Sequence, residues 1–466
     1  MHKIEREHRD YIANVAMWKK YRDLYAGGEQ FREAAGEYLI SRNREPLEVY
    51  AERLKRVFYE NYIGSIIDWY AATLGRREPV VTTEGNNEAS RRFFDEFMLD
   101  CDRRGTNFSE FFRDRLVSTL VLGRSYLTVE FPKVPRAPLS RAEEDALGRS
   151  RAYLVAWDAD QVINWSRAED GTLDWVVIRT ADTRQARLSD PGPMTVTRWV
   201  YYDREKFEIY ERAGEDGRGE VRLVDAGTHG LASQNRVPVF ELKVSEGLWL
   251  MNKSATLQLE HFNKSNALAW ALTMGLFAMP VVYSEKEFKQ AVGESYYIQL
   301  GPDDRFGWTE PEGHVYQIAI ENLDRLKDEI YRVCYLMAQA SGPRATNASQ
   351  TGLSKQRDFS ITQQVLRAYG DAVKETMGQV LSAIASARQD GVMVHVSGLD
   401  EFDIGDFSNE LEDAKKLLEL GIGSETLKRE MFKRLAQKYL CDARPEVKSR
   451  INAEIEASFA TRQPGD

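Results

Sequence analysis

Up to about residue 120, apolar positions recur at helical spacing. Leu54, Phe58, Tyr62, Ile66, Trp69 and Tyr70 fall mostly three or four apart and define one aromatic-rich face, so a helical layer with these rings in its core is expected. From about 119 to 246 the period changes to short β-like runs: Tyr126 to Phe131, Tyr153 to Trp157, Trp175 to Arg179, Thr195 to Tyr202 and Phe207 to Tyr210. These predict a mixed or antiparallel sheet region. Its turns are polar, at Glu169-Asp170-Gly171 and from Gly214 to Gly219, where Gly and Asp supply the geometry.

A long helix follows from about 251 to 279, carrying Leu257, Phe262, Leu268, Leu272 and Phe277 and stopping before Pro280. Val281 to Tyr283, Tyr296 to Leu300 and His314 to Ile318 read as short strands, the last two separated by GPDDRFGWTEPEG, Gly301 to Gly313. A second helix is expected from about 320 to 340, with Leu323, Ile330, Val333 and Met337 inward and Glu321, Asp324, Asp328 and Arg332 on another face. The pattern is a hairpin-like projection of helix, small β insertion and return helix. Ser341 to Gly352, SGPRATNASQTG, reads as a flexible loop; then come a helix of about 35 residues to near Arg388, a strand at Val392 to Val396, and two or three short charged helices after about 408. The fold class expected is α+β, mainly helical.

At 466 residues, with roughly 150 residues per domain, about two to four domains are expected. The mean hydropathy of -0.50 is that of a globular chain in water. Sixty-three basic against seventy-three acidic side chains leave a net charge of -10, which argues against a basic groove holding phosphate backbones tightly. Cys101, Cys334 and Cys441 are odd in number, far apart and without CxxC spacing, so neither a disulfide framework nor a zinc site is encoded, and a reducing compartment fits. The opening MHKIEREHRD alternates charges with no apolar run behind it, unlike a signal peptide. Ser265 to Ser284 is uncharged for about the length of a membrane span, but Asn266, Pro280 and the turn to strand-like residues favour a helix buried between subunits.

The chain lacks any GK dipeptide, and with it the P-loop; HExxH and GxSxG are missing, and Gly421-Ile422-Gly423 lacks the third glycine of a dinucleotide fingerprint. His2, His8, His229, His261, His314 and His395 show no paired ligand spacing. Asp158-Ala159-Asp160 offers two hard oxygen ligands for Mg²⁺, though Asp directly after a strand more often makes a turn. Asp225 with Glu241 and Lys243 matches the acids and lysine of a Mg²⁺-dependent nuclease, an alternative function weighed against an edge strand with solvent-facing charges.

The order of segments resembles the portal protein of tailed bacteriophages over nearly the entire chain. EYLISRNREPLEVYAERLKRVFYENYIGSIIDWYAATLGRREP, YLTVEFP, RAYLVAWDADQVINW, NRVPVFEL, the helix into FAMPVVYS, the GPDDRFGWTEPEGHVYQI insertion and SGPRATNASQTG carry the resemblance. It implies a wing over 1–246, helical to about 118 and then β-rich, a first stem helix over 247–279, a clip over 280–319 and a second stem helix over 320–340. A tunnel loop over 341–352, a wing return helix and strand over 353–407 and a crown over 408–466 complete it.

The function so implied is structural, not enzymatic: a ring of about twelve copies at one capsid vertex, closed by a repeated head-to-tail contact, through which DNA is packaged and ejected. Implied partners are further copies of the chain, the terminase large subunit, a head-completion or adaptor protein, the major capsid and scaffold proteins, and double-stranded DNA passing non-specifically. No membrane, cofactor or metal is implied, and the location is the virion, after assembly in the bacterial cytoplasm. Glu321, Asp324 and Asp328 would form an acidic stem surface, and Arg344, Asn347 and Gln350 would touch DNA. Glu285, Lys286, Glu287, Lys289, Asp303, Asp304 and Arg305 would face terminase and adaptor. The remaining alternative is a monomeric helical interaction scaffold.

Overall fold

The computed structural model describes residues 2–76, 78–84, 88–133, 151–184, 194–214, 219–275, 279–283, 303, 305–309, 313–336, 352–399, 414–419, 424–439 and a few single positions from 447 to 458. Six helices open the chain: α1 (Arg9–Ala26), α2 (Gly28–Tyr38), α3 (Leu47–Lys55), α4 (Tyr62–Leu74), α5 (Glu88–Leu99) and α6 (Phe108–Leu122). The aromatic stripe is split between two of them. Asn61 caps α4, its Oδ1 accepting from Gly64 N at 2.9 Å, so the helix restarts there; Ile66 and Tyr70 are buried, whereas Phe58 in the break is exposed. A strand that the apolar pattern does not announce, β1 (Val80–Glu84), lies between α4 and α5.

The middle of the chain forms two antiparallel sheets, which decides between the mixed and antiparallel expectations. Strands β2 (Arg124–Glu130), β3 (Tyr153–Asp158) and β9 (Val239–Lys243) make the first, with β2 central. Five successive residues of β2, Ser125 to Val129, are buried because strands flank it on both sides and helices cover it. Strands β4 (Val162–Arg167), β5 (Leu173–Arg184), β6 (Met194–Asp203), β7 (Lys206–Gly214) and β8 (Arg222–Thr228) follow one another as a meander in the second. Gly123 closes α6 at φ 83° and leads straight into β2; a Cβ there would sit 3.0 Å from the Trp249 ring.

The two helices of the projection are α7 (Leu250–Gly275) and α8 (Gly313–Val333), and the long return helix is α9 (Gly352–Arg388). Between α7 and α8 lies an antiparallel pair, β10 (Met279–Tyr283) with β11 (Arg305–Thr309). Three boundaries differ from those expected. The first helix ends at Gly275, β11 falls inside the segment read as a loop, and His314 to Ile318 is helix, not strand. Val315 and Ile318 point outward while Tyr316 reaches back to α7, its hydroxyl donating to Ala271 O at 3.3 Å, so the alternation of H-V-Y-Q-I belongs to the first turns of an amphipathic helix. The second helix accordingly starts seven residues early and stops at Val333.

Strand β12 (Met393–Ser397) follows α9 and pairs with β1, from Val80 opposite Ser397 to Glu84 opposite Met393, tying the end of the long helix to the N-terminal layer. Helix α10 (Glu425–Tyr439) is described in the C-terminal segment. The expected strand at 296–300 and the loop at 341–351 lie outside the described residues, as does Phe277. One continuous core joins α1, α4, α6, α7 and α9, with Tyr70, Phe112, Phe262, Ile330, Tyr369 and Leu381 fully buried. Among the described residues no helix is long and apolar enough to cross a membrane.

Candidate functional site

The projection is rooted in the body by polar side chains that satisfy backbone groups far away in sequence. On α7, Gln258 accepts from Ile63 N at 3.3 Å and donates to Glu60 O at 2.7 Å. Asn263 joins Ile40 N (2.9 Å) to Tyr38 O (3.1 Å), and Asn266 joins Phe58 N (3.1 Å) to Phe58 O (2.9 Å). These amides occupy the orphaned groups where α2 ends and where the chain breaks before α4. They are why an otherwise apolar helix carries Asn and Gln on its body-facing side. Ile330 on α8 and Cys334 just after it are fully buried, and Tyr70 Oη donates to Cys334 O at 2.7 Å. Tyr335 and Tyr369 donate to Gly247 O (2.9 Å) and Leu248 O (2.6 Å), locking the entry of α7 to the exit of α8 and to α9.

A histidine is also buried inside this root. His261 is 2 % exposed, its Nε2 is 3.4 Å from the Glu60 carboxylate, and its ring meets Tyr62 edge-on at 5.0 Å. Burial lowers its pKa below the ordinary histidine value, Lys327 adds to that, and Glu60 opposes it; its Nδ1 has no partner among the described residues. The imidazole is therefore held neutral.

Away from the root the projection turns apolar residues outward. Leu272 is 38 % exposed, Val315 63 %, Ile318 54 % and Ile320 44 %. Glu321, Asp324 and Asp328 share one exposed face of α8, as their spacing predicts, and Arg325 and Arg332 lie on that same face. Arg332 pairs with Glu329, and Gln317 donates to Glu321 at 3.3 Å. The face is mixed in charge, not purely acidic. Asp303 and Arg305 are exposed near the start of β11. Glu285, Lys286, Glu287, Lys289, Asp304, Arg344, Asn347 and Gln350 lie outside the described residues.

The nuclease constellation is not assembled. Asp225 sits on β8, the edge of the five-stranded sheet, ion-paired with Lys133; Glu241 and Lys243 sit on β9, the edge of the three-stranded sheet. Glu241 is held by Arg167 and by Arg124 (3.4 Å). Both acids thus neutralise local cations on separate edge strands, and among the described residues no three metal-ligating side chains cluster. Asp158 ends β3 and Asp160 lies in the turn that leads to β4. Asp158 accepts from Arg22 (2.8 Å), Arg115 (3.0 Å) and Ser118 (2.6 Å), and Asp160 accepts from Arg22 as well. This network fastens α1 and α6 to the sheet and was invisible in the sequence, since its members are up to 138 positions apart.

Residues 251–382, the projection and most of α9, match the family model of a domain of unknown function, DUF4055. No curated protein matches the chain. Among solved structures, a chain from the neck of an empty GTA particle, computed with C6 symmetry, is similar at 13% identity and TM-score 0.44, over 80% of this chain and 90% of that one. A chain from the virion of a native gene transfer agent (GTA) particle is 13% identical at TM-score 0.41, over 84% and 95%. A third, from the native neck computed with C12 symmetry, is 14% identical at TM-score 0.40, over 86% and 97%. At TM-scores this low the likeness carries no functional argument.

Proposed function

We propose that the chain is a structural subunit of a portal ring, in which about twelve copies close head to tail around a channel at one vertex of a virus-like particle. The observation that carries this reading is the projection itself. A long helical pair, locked at its root and bearing a small β pair, turns Leu272, Val315, Ile318 and Ile320 to solvent, where a single chain leaves them uncovered. Copies packed side by side would cover them. In that ring α7 and α8 form the stem, β10 and β11 belong to the clip, and the two sheets with α1 to α6 and α9 form the wing.

DNA passes through such a ring during packaging and ejection, driven by a separate terminase, and a head-completion protein later docks on the clip. The formal charge of -10 per chain supports passage without adhesion to the extent that part of it lines the channel, because like charge repels phosphates. Within this reading Glu321, Asp324 and Asp328 contribute channel charge, Arg344, Asn347 and Gln350 meet DNA, and the charged residues from Glu285 to Arg305 meet terminase and adaptor. The test is the mass of the purified chain by light scattering, with negative-stain images of the same fraction. An annular particle of about twelve chains is the expected outcome; a chain that stays monomeric at high concentration overturns the reading.

A further inference from the structure

Tyr126, Val162, Val176, Ile178, Val200 and Tyr202 form a small second core between the two sheets. Beside it a cleft of about 1650 Å³ opens between β3 and the facing sides of β5, β6 and β7. That exceeds the roughly 300–1,000 Å³ of a small-molecule pocket and has room for part of a polypeptide.

Glu130, the last residue of β2, stands in the cleft wall. Its carboxylate accepts one hydrogen bond, from Tyr202 Oη at 2.5 Å, and among the described residues no cation lies within ion-pair distance of it. Lys133 acts on it only from further away, because its ammonium is paired with Asp225 and seated over the Phe207 ring at 4.6 Å. Tyr153, directly across the strand pair from Glu130, likewise carries Arg103 over its ring at 5.3 Å. Of the other charged groups lining the cleft, Arg198 pairs with Glu211, Arg388 pairs with Asp390, Asp102 accepts from Arg104 N at 2.9 Å and Asp182 is exposed, while the His229 ring reaches Asp203 O through Nε2 at 2.9 Å. What remains is one desolvated acid without a counter-ion among aromatic rings whose neighbours already seat cations.

We propose that the cleft receives one basic side chain, a lysine or arginine on an extended segment of a partner protein, with Glu130 as counter-ion and Tyr202 and Phe207 flanking it. A neutral side chain would leave the half-buried acid to be neutralised only by its own proton, and an acidic one would add a second anion beside it. Burial holds the Glu130 carboxyl up at about 7, so a cation entering the cleft displaces the proton that otherwise neutralises it. Binding should therefore weaken on acidification.

The probe is the peptide acetyl-Gly-Gly-Arg-Gly-Gly-amide, with its citrulline counterpart as the uncharged isostere. Both are titrated calorimetrically into the full chain at about pH 8 and about pH 6, either side of the Glu130 value of about 7. The arginine peptide is expected to bind at the higher pH about tenfold more tightly than the citrulline peptide, to lose about the same factor in Glu130→Gln, and to weaken at the lower pH. Equal binding of the two peptides, undiminished binding to Glu130→Gln, or no heat with the unmodified protein at millimolar peptide overturns the proposal. So does binding that emerges only in Lys133→Ala, since Lys133 would then fill the seat itself.

Discussion

Two carboxylates show how the same side-chain chemistry takes opposite roles at the residue scale. Burial pushes Glu130 up to about 7 because the Tyr202 hydrogen bond and distant Lys133 only partly offset the loss of water. Its folded value lies above its ordinary value of 4.5, so its contribution to stability is complete below that pH and is lost as pH rises through about 7. Glu130→Gln should match the unmodified protein in urea unfolding near pH 4.5 and be more stable by about 2–3 kcal/mol near pH 8; a loss of stability at the higher pH would contradict this account. Asp158 is the reverse case. Burial raises its pKa, but Arg115, Ser118 and Arg22 together outweigh that and hold it below its ordinary 3.8. Its contribution is present above that value and lost as pH falls further. Asp158→Asn, which takes the carboxylate from Arg115 and leaves Arg22 with Asp160 alone, should cost about 2 kcal/mol or more at neutral pH, a difference that shrinks once pH falls below 3.8.

At the scale of elements, the root of the projection is where a titration reaches a whole helix. His261 is neutral with its folded pKa below the ordinary 6.5, so the stability it permits is present above that value and is lost as pH falls through the lower, folded one. Acidification below 6.5 should therefore speed amide exchange in the C-terminal half of α8 and around residues 60–63, after correction for intrinsic rates. His261→Gln should remove most of that acceleration, and an unchanged pH response in the variant would show that the root does not depend on this imidazole. Elements with long, regular periods were legible in sequence: α9, the helix pair of the projection, and most strands of the two sheets. The misses share a cause. β1 is five residues long and exposed at alternate positions, too short to leave a pattern of its own beside its partner β12, which was read at 392–396, and H-V-Y-Q-I fits either period until α7 is seen to receive Tyr316. Of the candidate site, the exposed face of Glu321, Asp324 and Asp328 was legible because helical spacing alone fixes it. Gln258, Asn263, Asn266 and the Arg22–Asp158 network were not, since each acts on a group more than a hundred positions away.

For the whole molecule, the apolar outward side chains of the projection and the charge of each chain act in opposite directions. In the proposed ring, closure would cover Val315, Ile318 and Ile320 and be favoured by their removal from water, while every copy added would bring a further formal charge of -10 close to the same charge on its neighbours. The apolar contact is short-ranged and insensitive to dilute salt, whereas the repulsion spreads over a screening length of about 10 Å at 0.1 M and about 3 Å at 1 M. Assembly should accordingly be promoted by salt: the ring fraction seen by light scattering rises as NaCl increases at fixed chain concentration. Ile318→Glu tests the other arm. Ile318 is 54 % exposed in the single chain, so the change should leave circular dichroism and the unfolding midpoint nearly unaltered, while placing a charge where the proposed ring contact would lie. The variant should remain monomeric at every salt concentration. If it assembles as readily as the unmodified chain, the contact that closes the ring does not run through the outer half of the projection, and the stem assignment fails even if a ring forms.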